Sequence, residues 1–200
     1  GVRAWMWTAD LDPANERRAL RVSARYGTTA SQTRTVADGS VRCVRGASPV
    51  LEAVAYVVTA DSGVYVPGTG LSWQRIPSDN LSWEGALAFC AGLRTAEGGG
   101  YRLPDVKELS TLIDVLRNNP GVDPALFTGV RAGQTFWTST TANDAFREDA
   151  YSVALGGSGL IGVQQKSNFQ QALCVRSCPC PDPACCNACR PITDGWGCDD

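Results

Sequence analysis

From Leu20 to Gly27 the chain reads LRVSARYG, with apolar and polar positions in alternation, and YSVALGGSG at 151–159 returns to the same pattern. A period of two marks a half-buried strand, because successive side chains leave opposite faces of the pleat. Residues 54–75, VAYVVTADSGVYVPGTGLSWQR, hold two β-rich runs around ADSG, a turn composition, and predict a strand pair. The period then lengthens. In SDNLSWEGALAFCAGL (78–93), Trp83, Ala86, Leu87, Cys90 and Leu93 recur every three to four residues, which predicts a helix with Cys90 on its buried stripe. Asp79, Asn80 and Ser82 each suit its N-cap, and Glu84 suits the positive end of its dipole. Val106, Leu109, Ile113 and Leu116 form a second helical stripe, with Pro104 fitting its start and NNPGVDP (118–124) stopping it. A loop-rich stretch leads to TFWTST (135–140) and to two or three short strands ending in QALCVR (171–176).

The pattern repeats over a longer distance. VRCVRG (41–46) returns as ALCVRS (172–177), and WMWTAD (5–10) as TFWTST. Trp7 precedes Cys43 by 36 residues (43 − 7), and Trp137 precedes Cys174 by 37 (174 − 137). Between these anchors both stretches carry an Asn/Asp- and Arg-containing loop, DPANERRA (12–19) and ANDAFREDA (142–150), followed by the alternating segment. Two motifs at nearly equal spacing indicate an internal repeat. Material like that from Val54 to Trp137 has no counterpart before Trp7. Residues 1–46 are therefore read as the C-terminal half of a first domain copy, 47–53 as a linker and 54–177 as a complete copy, with 178–200 as a Cys-rich tail.

Five ordered blocks in the complete copy, GLSWQR, SWEGALAFCAGL, YRLPDVKELSTLID, FWTST and ALCVR, resemble those of the Lcl C-terminal domain family, a bacterial extracellular domain of largely unknown function. The resemblance implies an α+β fold of C-type-lectin-like type, with two helices on small twisted antiparallel sheets. It also implies a non-catalytic surface role, adhesion to sulfated polysaccharides being that of the founding member. Tyr101 and Asp105 stand where the family more often has Trp and Thr, and the Cys-rich tail lies outside its pattern.

Composition narrows the compartment and the chemistry. The 200 residues are 44% hydrophobic and 19% charged, which fits a packed domain rather than a disordered chain. Net charge is −2 but uneven: residues 1–46 hold eight Arg against four acids (+4), 47–177 nine basic against twelve acidic groups (−3), and 178–200 one Arg against four Asp (−3). The total argues against a nucleic-acid partner. No apolar run of about 18 residues is present, so no membrane-spanning helix is expected. Gly1 reads as a processed terminus or a fragment boundary, with no signal-peptide pattern after it.

Nine cysteines point to an oxidising compartment and hence to a secreted or cell-surface protein. Cys90, on the helical stripe, and Cys174, at the end of the last strand, are expected to form a disulfide. Cys178, Cys180, Cys185, Cys186, Cys189 and Cys198 are expected to form three more, with fifteen connectivities open. The alternative, an all-thiolate metal site, fits the C-x-C and C-C spacings poorly. Cys43 is then left over, unpaired or bound to another chain.

Histidine is absent, which removes Ser-His and Cys-His catalysis and imidazole metal ligands. Thr138, Ser139, Thr140 and Thr141 form a hydroxyl cluster whose only lysine bases would be Lys107 and Lys166; the expectation is that these hydroxyls bond the backbone. Asp105 is assigned to the helix dipole, with Glu108 and Asp114 facing solvent. Asn143, Asp144, Glu148 and Asp149 are read as a solvated acidic loop lacking the regular ligand spacing of a Ca²⁺ site. No cofactor and no metal are expected. Arg17, Arg18, Arg21 and Arg25 are the candidate contacts to a polyanion, although Arg outnumbers Lys sixteen to two in the whole chain. The expected function is non-enzymatic ligand binding or adhesion. The alternative is a structural subunit that assembles when another chain completes residues 1–46, and an enzyme is the least favoured reading.

Overall fold

A computed structural model describes residues 5–43, 45, 56–59, 63–95, 99–114, 116–142 and 147–177, and the backbone of 189–192 and 195–198. The expected linker lies outside the described residues.

The first sheet is an antiparallel meander of β1 (Trp5–Asp12), β2 (Asn15–Ser23) and β3 (Thr29–Thr33), in that order. DPANERRA was expected to form a loop, but only Pro13 and Ala14 turn. Ala14 N–H donates to Asp12 Oδ1 at 2.8 Å, and this side-chain bond, with the fixed φ of Pro13, closes the chain tightly enough for pairing to resume at Asn15. Gly27, at φ +67°, makes the second turn. Each outer edge has a neighbour. Beside β1, Ser40 forms a parallel bridge with Met6. Beside β3, Ile161 N–H donates to Thr29 Oγ1 at 2.6 Å.

The second sheet is built from β4 (Val57–Val58), β5 (Val64–Val66), β6 (Leu71–Trp73) and β10 (Val175–Ser177), in the order β10-β6-β5-β4. β5 and β6 are buried at every position. The third sheet is the meander β7 (Phe136–Thr141), β8 (Asp149–Val153) and β9 (Ile161–Gln165). A two-stranded sheet, β11 (Cys189–Ile192) and β12 (Gly195–Cys198), ends the described chain.

Helix α1 spans Trp83–Gly92, and of the three candidate caps Ser82 is the one used, its side chain accepting from Gly85 N–H. Helix α2 is shorter than its stripe predicted: it covers only Val106–Ser110. Asp105 caps it, one residue after Pro104. Asp105 accepts from Glu108 N–H while Glu108 accepts from Asp105 N–H, so the two close a capping box. The helix stops because the Ser110 and Thr111 hydroxyls bond back to the carbonyls of Lys107 and Glu108. The amides of Thr111, Leu112 and Ile113 then bond three residues back, which tightens the chain out of the α conformation. Leu116, expected on the buried stripe, is accordingly 86% exposed.

The core lies between the second and third sheets. Trp73, Leu109, Val122, Phe127, Phe136, Leu155 and Leu173 share its main cluster. A second cluster under α1 joins Ala86 and Cys90 to Tyr101, Leu103, Trp137, Ala172 and Cys174. The loops beside the main cluster pack backbone on backbone: a Cβ on Gly156 would overlap the Arg131 carbonyl and Gln134 N–H, so only glycine fits there. The chain is α+β, with small antiparallel sheets, two short helices and a disulfide.

Candidate functional site

Helix α1 meets the third sheet through two indoles that reach in opposite directions. Trp137, fully buried on β7, donates from Nε1 to the Leu81 carbonyl at 2.9 Å, and Trp83, on α1, donates to the Thr138 carbonyl at 2.8 Å. Cys90 and Cys174 are joined by a disulfide in the same place, with Cα atoms 5.4 Å apart. Cys174 is held by its neighbours as well, since its carbonyl accepts from Gln74 N–H at 2.9 Å. Helix, sheet and closing strand are therefore fixed at one point by packing, hydrogen bonds and a covalent link.

The hydroxyl cluster sits at the edge of this junction. Thr138 Oγ1 donates to the Tyr151 carbonyl at 2.8 Å, and Thr140 Oγ1 accepts from Val106 N–H at 3.0 Å. Lys166, which no motif tied to the cluster, stands beside it: its Nζ donates to Thr141 Oγ1 at 3.0 Å and to the Arg147 carbonyl at 2.9 Å, and lies 4.1 Å from the Trp83 ring centre. Two acceptors and a π face thus engage the Lys166 head group. Lys107 is exposed on α2.

The first sheet reproduces part of this geometry. Trp7 N–H donates to the Ser40 carbonyl at 3.0 Å and Ser40 N–H to the Trp5 carbonyl at 2.9 Å. In the third sheet Trp137 N–H donates to the Gln171 carbonyl at 2.9 Å and Gln171 N–H to the Thr135 carbonyl at 3.1 Å. Each pair of bonds frames a parallel bridge, Met6 with Ser40 and Phe136 with Gln171. Cys43 follows Ser40 by three residues, as Cys174 follows Gln171. The surroundings differ. Trp7 is half-buried, with Gly39 pressed against its indole so closely that a Cβ would overlap Nε1, and Cys43 is an exposed free thiol.

The four candidate arginines separate into two kinds. Arg18 donates from Nε to Ser31 Oγ at 2.8 Å and lies 3.7 Å from Asp12, and Arg21 pairs with Asp38 at 2.9 Å with its guanidinium 4.5 Å from the Trp5 ring centre. Arg17 and Arg25 are exposed, Arg25 lying over Tyr26.

Of the carboxylates, Asp105 serves its helix, but Glu108 does not face solvent. Arg102 grips it through two hydrogen bonds of 2.6 Å. The Arg102 hydrogen bond holds the Glu108 carboxyl below its ordinary pKa, and the same bond raises that of Arg102. Asp114 pairs with Arg117 at 2.9 Å. Burial, with Asp114 and Asp123 nearby, raises the pKa of Tyr56, whose ring meets Phe127 edge-on at 6.4 Å. Asn143 and Asp144 lie outside the described residues; Glu148 is exposed and Asp149 begins β8. Among the described residues, no group of three or more acidic or thiol side chains could hold a metal ion.

A groove of about 310 Å³, which no sequence motif signalled, opens between Gln74, Arg75, Ile76, Leu93 and Tyr101. Its one arginine is partly committed, since Arg75 donates to the Leu126 and Ala125 carbonyls at 2.7 and 2.9 Å. Of the tail cysteines, Cys178, Cys180, Cys185 and Cys186 lie outside the described residues, and Cys189 and Cys198 are placed by their backbone alone. Among the described residues no helix is long and apolar enough to cross a membrane.

No curated protein and no solved structure matches the chain. The profile of the Lcl C-terminal domain, by contrast, matches residues 64–176, from the first strand of the buried pair to the residue after Val175. That span is more than half of the 200 residues and contains α1, α2, the hydroxyl cluster and the Cys90–Cys174 bridge, so the chain belongs to the Lcl C-terminal domain family.

Proposed function

We propose that the protein is a secreted or cell-surface, non-enzymatic binder that holds a polyanion, with sulfated polysaccharide the expected class. The observation that carries this reading is the set of exposed arginines at the front of the chain. Arg17 and Arg25 are exposed, Arg34 is exposed on the segment bonded to Arg17, and residues 1–46 sum to +4. Exposed guanidinium groups suit the bidentate geometry of sulfate and carboxylate. A non-enzymatic role is supported by the missing histidine and by hydroxyls whose bonds go to backbone or to Lys166. The test is binding of the intact chain to a sulfated polysaccharide and to its desulfated form. Binding of the sulfated form alone is expected, weakening with salt and falling at least about threefold in R17A/R25A. Equal binding of both forms, or an unchanged affinity in the variant, rejects the assignment.

In this reading 54–177 is a complete Lcl-like copy of C-type-lectin-like fold, 1–46 the C-terminal half of another, and 178–200 a disulfide tail. The matched bonds of Trp7–Ser40 and Trp137–Gln171 support the half-copy. They also favour a second reading, a subunit of an extracellular assembly. Trp137 and Cys174 are covered by α1, whereas Trp7 is half-buried and Cys43 exposed, so another chain would supply the equivalent helix and a cysteine. Oligomers that dissociate on reduction and are absent in C43S are the expected result. A monomer with Cys43 fully alkylated under native conditions overturns it.

A further inference from the structure

The closing hairpin pairs Cys189 with Cys198, Arg190 with Gly197, Pro191 with Trp196 and Ile192 with Gly195, all antiparallel. Opposed residues in such a ladder alternate between a pair that exchanges both N–H···O bonds and a pair that exchanges none, and the second kind brings the chains closer, with Cα atoms about 4.5 Å apart. Proline has no N–H, so Pro191 and Trp196 cannot form the exchanging kind. Counting two residues along each strand returns to the same kind of site. That site is Cys189 opposite Cys198.

Two cysteines directly opposed at a close, non-exchanging site match the reach of a disulfide, whose Cα atoms stand about 4.4–6.8 Å apart. We propose that Cys189 and Cys198 form a cross-strand disulfide that staples this hairpin. Register alternation places Cys189, Pro191, Trp196 and Cys198 on one face, so the staple falls beside the one aromatic residue of the hairpin. The other face opposes glycine to each partner, Gly197 to Arg190 and Gly195 to Ile192. A lone two-stranded hairpin is marginal in water, which gives the covalent link a reason.

In the forming step each thiol loses its proton, one S–S bond is made, and the two electrons pass to a disulfide oxidant such as oxidised glutathione, which leaves as two thiols. The pairing reduces the tail's open connectivities from fifteen to three, those of Cys178, Cys180, Cys185 and Cys186.

Trypsin does not separate the two cysteines, because its one site between them, Arg190, precedes proline. Cleavage before aspartate does, giving 182–193 and 194–198. Tandem mass spectrometry of the unreduced, alkylated digest is expected to find these peptides linked through Cys189. A link from Cys198 to Cys185 or Cys186, a link from Cys198 to a peptide ending at Pro181, or an alkylated Cys198 overturns the proposal. Counting thiols in denaturant after oxidative folding gives a second readout. C189S and C198S should each gain one free thiol over the parent, and C189S/C198S none; a gain of two in the double variant would mean that each cysteine has another partner.

Discussion

Trp83 holds two groups with one ring. Its N–H satisfies the Thr138 carbonyl and its face carries the Lys166 ammonium. Trp83→Phe keeps the apolar ring and loses the donor, so it should destabilise the chain by about 1–3 kcal/mol, read by chemical denaturation with the disulfide intact. Lys166→Met isolates the other contact and should cost about 0.5–2 kcal/mol. Glu108 offers a signed pH test. Its carboxyl is held below the ordinary value, so the Arg102 pair contributes stability above the unfolded pKa of about 4.3 and loses it as pH falls through the lower folded value. In E108Q the amide oxygen can still accept from Asp105 N–H. The wild type should therefore lead E108Q by about 0.5–1 kcal/mol at neutral pH, and the gap should close on acidification; a gap constant with pH would place the effect in packing. At this scale sequence was informative where one residue type has few uses. A cysteine on an apolar stripe reads directly, and Thr138 and Thr140 bond the backbone toward the end of β7 as expected, whereas the Lys166–Thr141 contact spans 25 positions and leaves no periodic trace.

Elements were legible when their ends were written in local chemistry. Ser82 and Asp105 cap the two helices through their own side chains, and both are residue types that compete for such sites. The length of α2 was misread for a related reason. The stripe from Val106 to Leu116 has helical spacing, but periodicity does not register that Ser110 and Thr111 bond backward and end the helix. Asp105→Ala removes half of the capping box and should cost about 1 kcal/mol, with backbone exchange rising first in 106–111. The disulfide acts between elements, tying α1 to the segment that enters β10. Cys90→Ala/Cys174→Ala opens a loop of 84 residues and should destabilise by up to about 4–5 kcal/mol in the chain-entropy account, with most of the difference abolished when the wild type is measured under reducing conditions.

The first sheet sits against the rest of the molecule at an edge, where Ile161 donates to Thr29 and the Tyr151 hydroxyl donates to the Tyr26 carbonyl. Those positions are more than a hundred residues apart, and local sequence pattern carries no information about how the two sheets meet. Few hydrogen bonds among the described residues cross this edge, which predicts independent opening: T29V/Y151F should raise hydrogen exchange in 15–33 and leave 136–177 protected, and equal loosening of both would show one cooperative unit. The Cys90–Cys174 bridge has a mechanical side at this scale. For a chain held at its two ends, the 84 residues between the linked sulfurs cannot be drawn out, because the load passes across the S–S bond. At about 3.6 Å per residue, roughly 300 Å of contour length is withheld from tension. In a single-molecule pulling experiment without reductant, total extension should be greater by about that amount in C90A/C174A than in the parent. A chain built this way yields under load outside the loop closed by Cys90 and Cys174, while the α1 junction stays clamped.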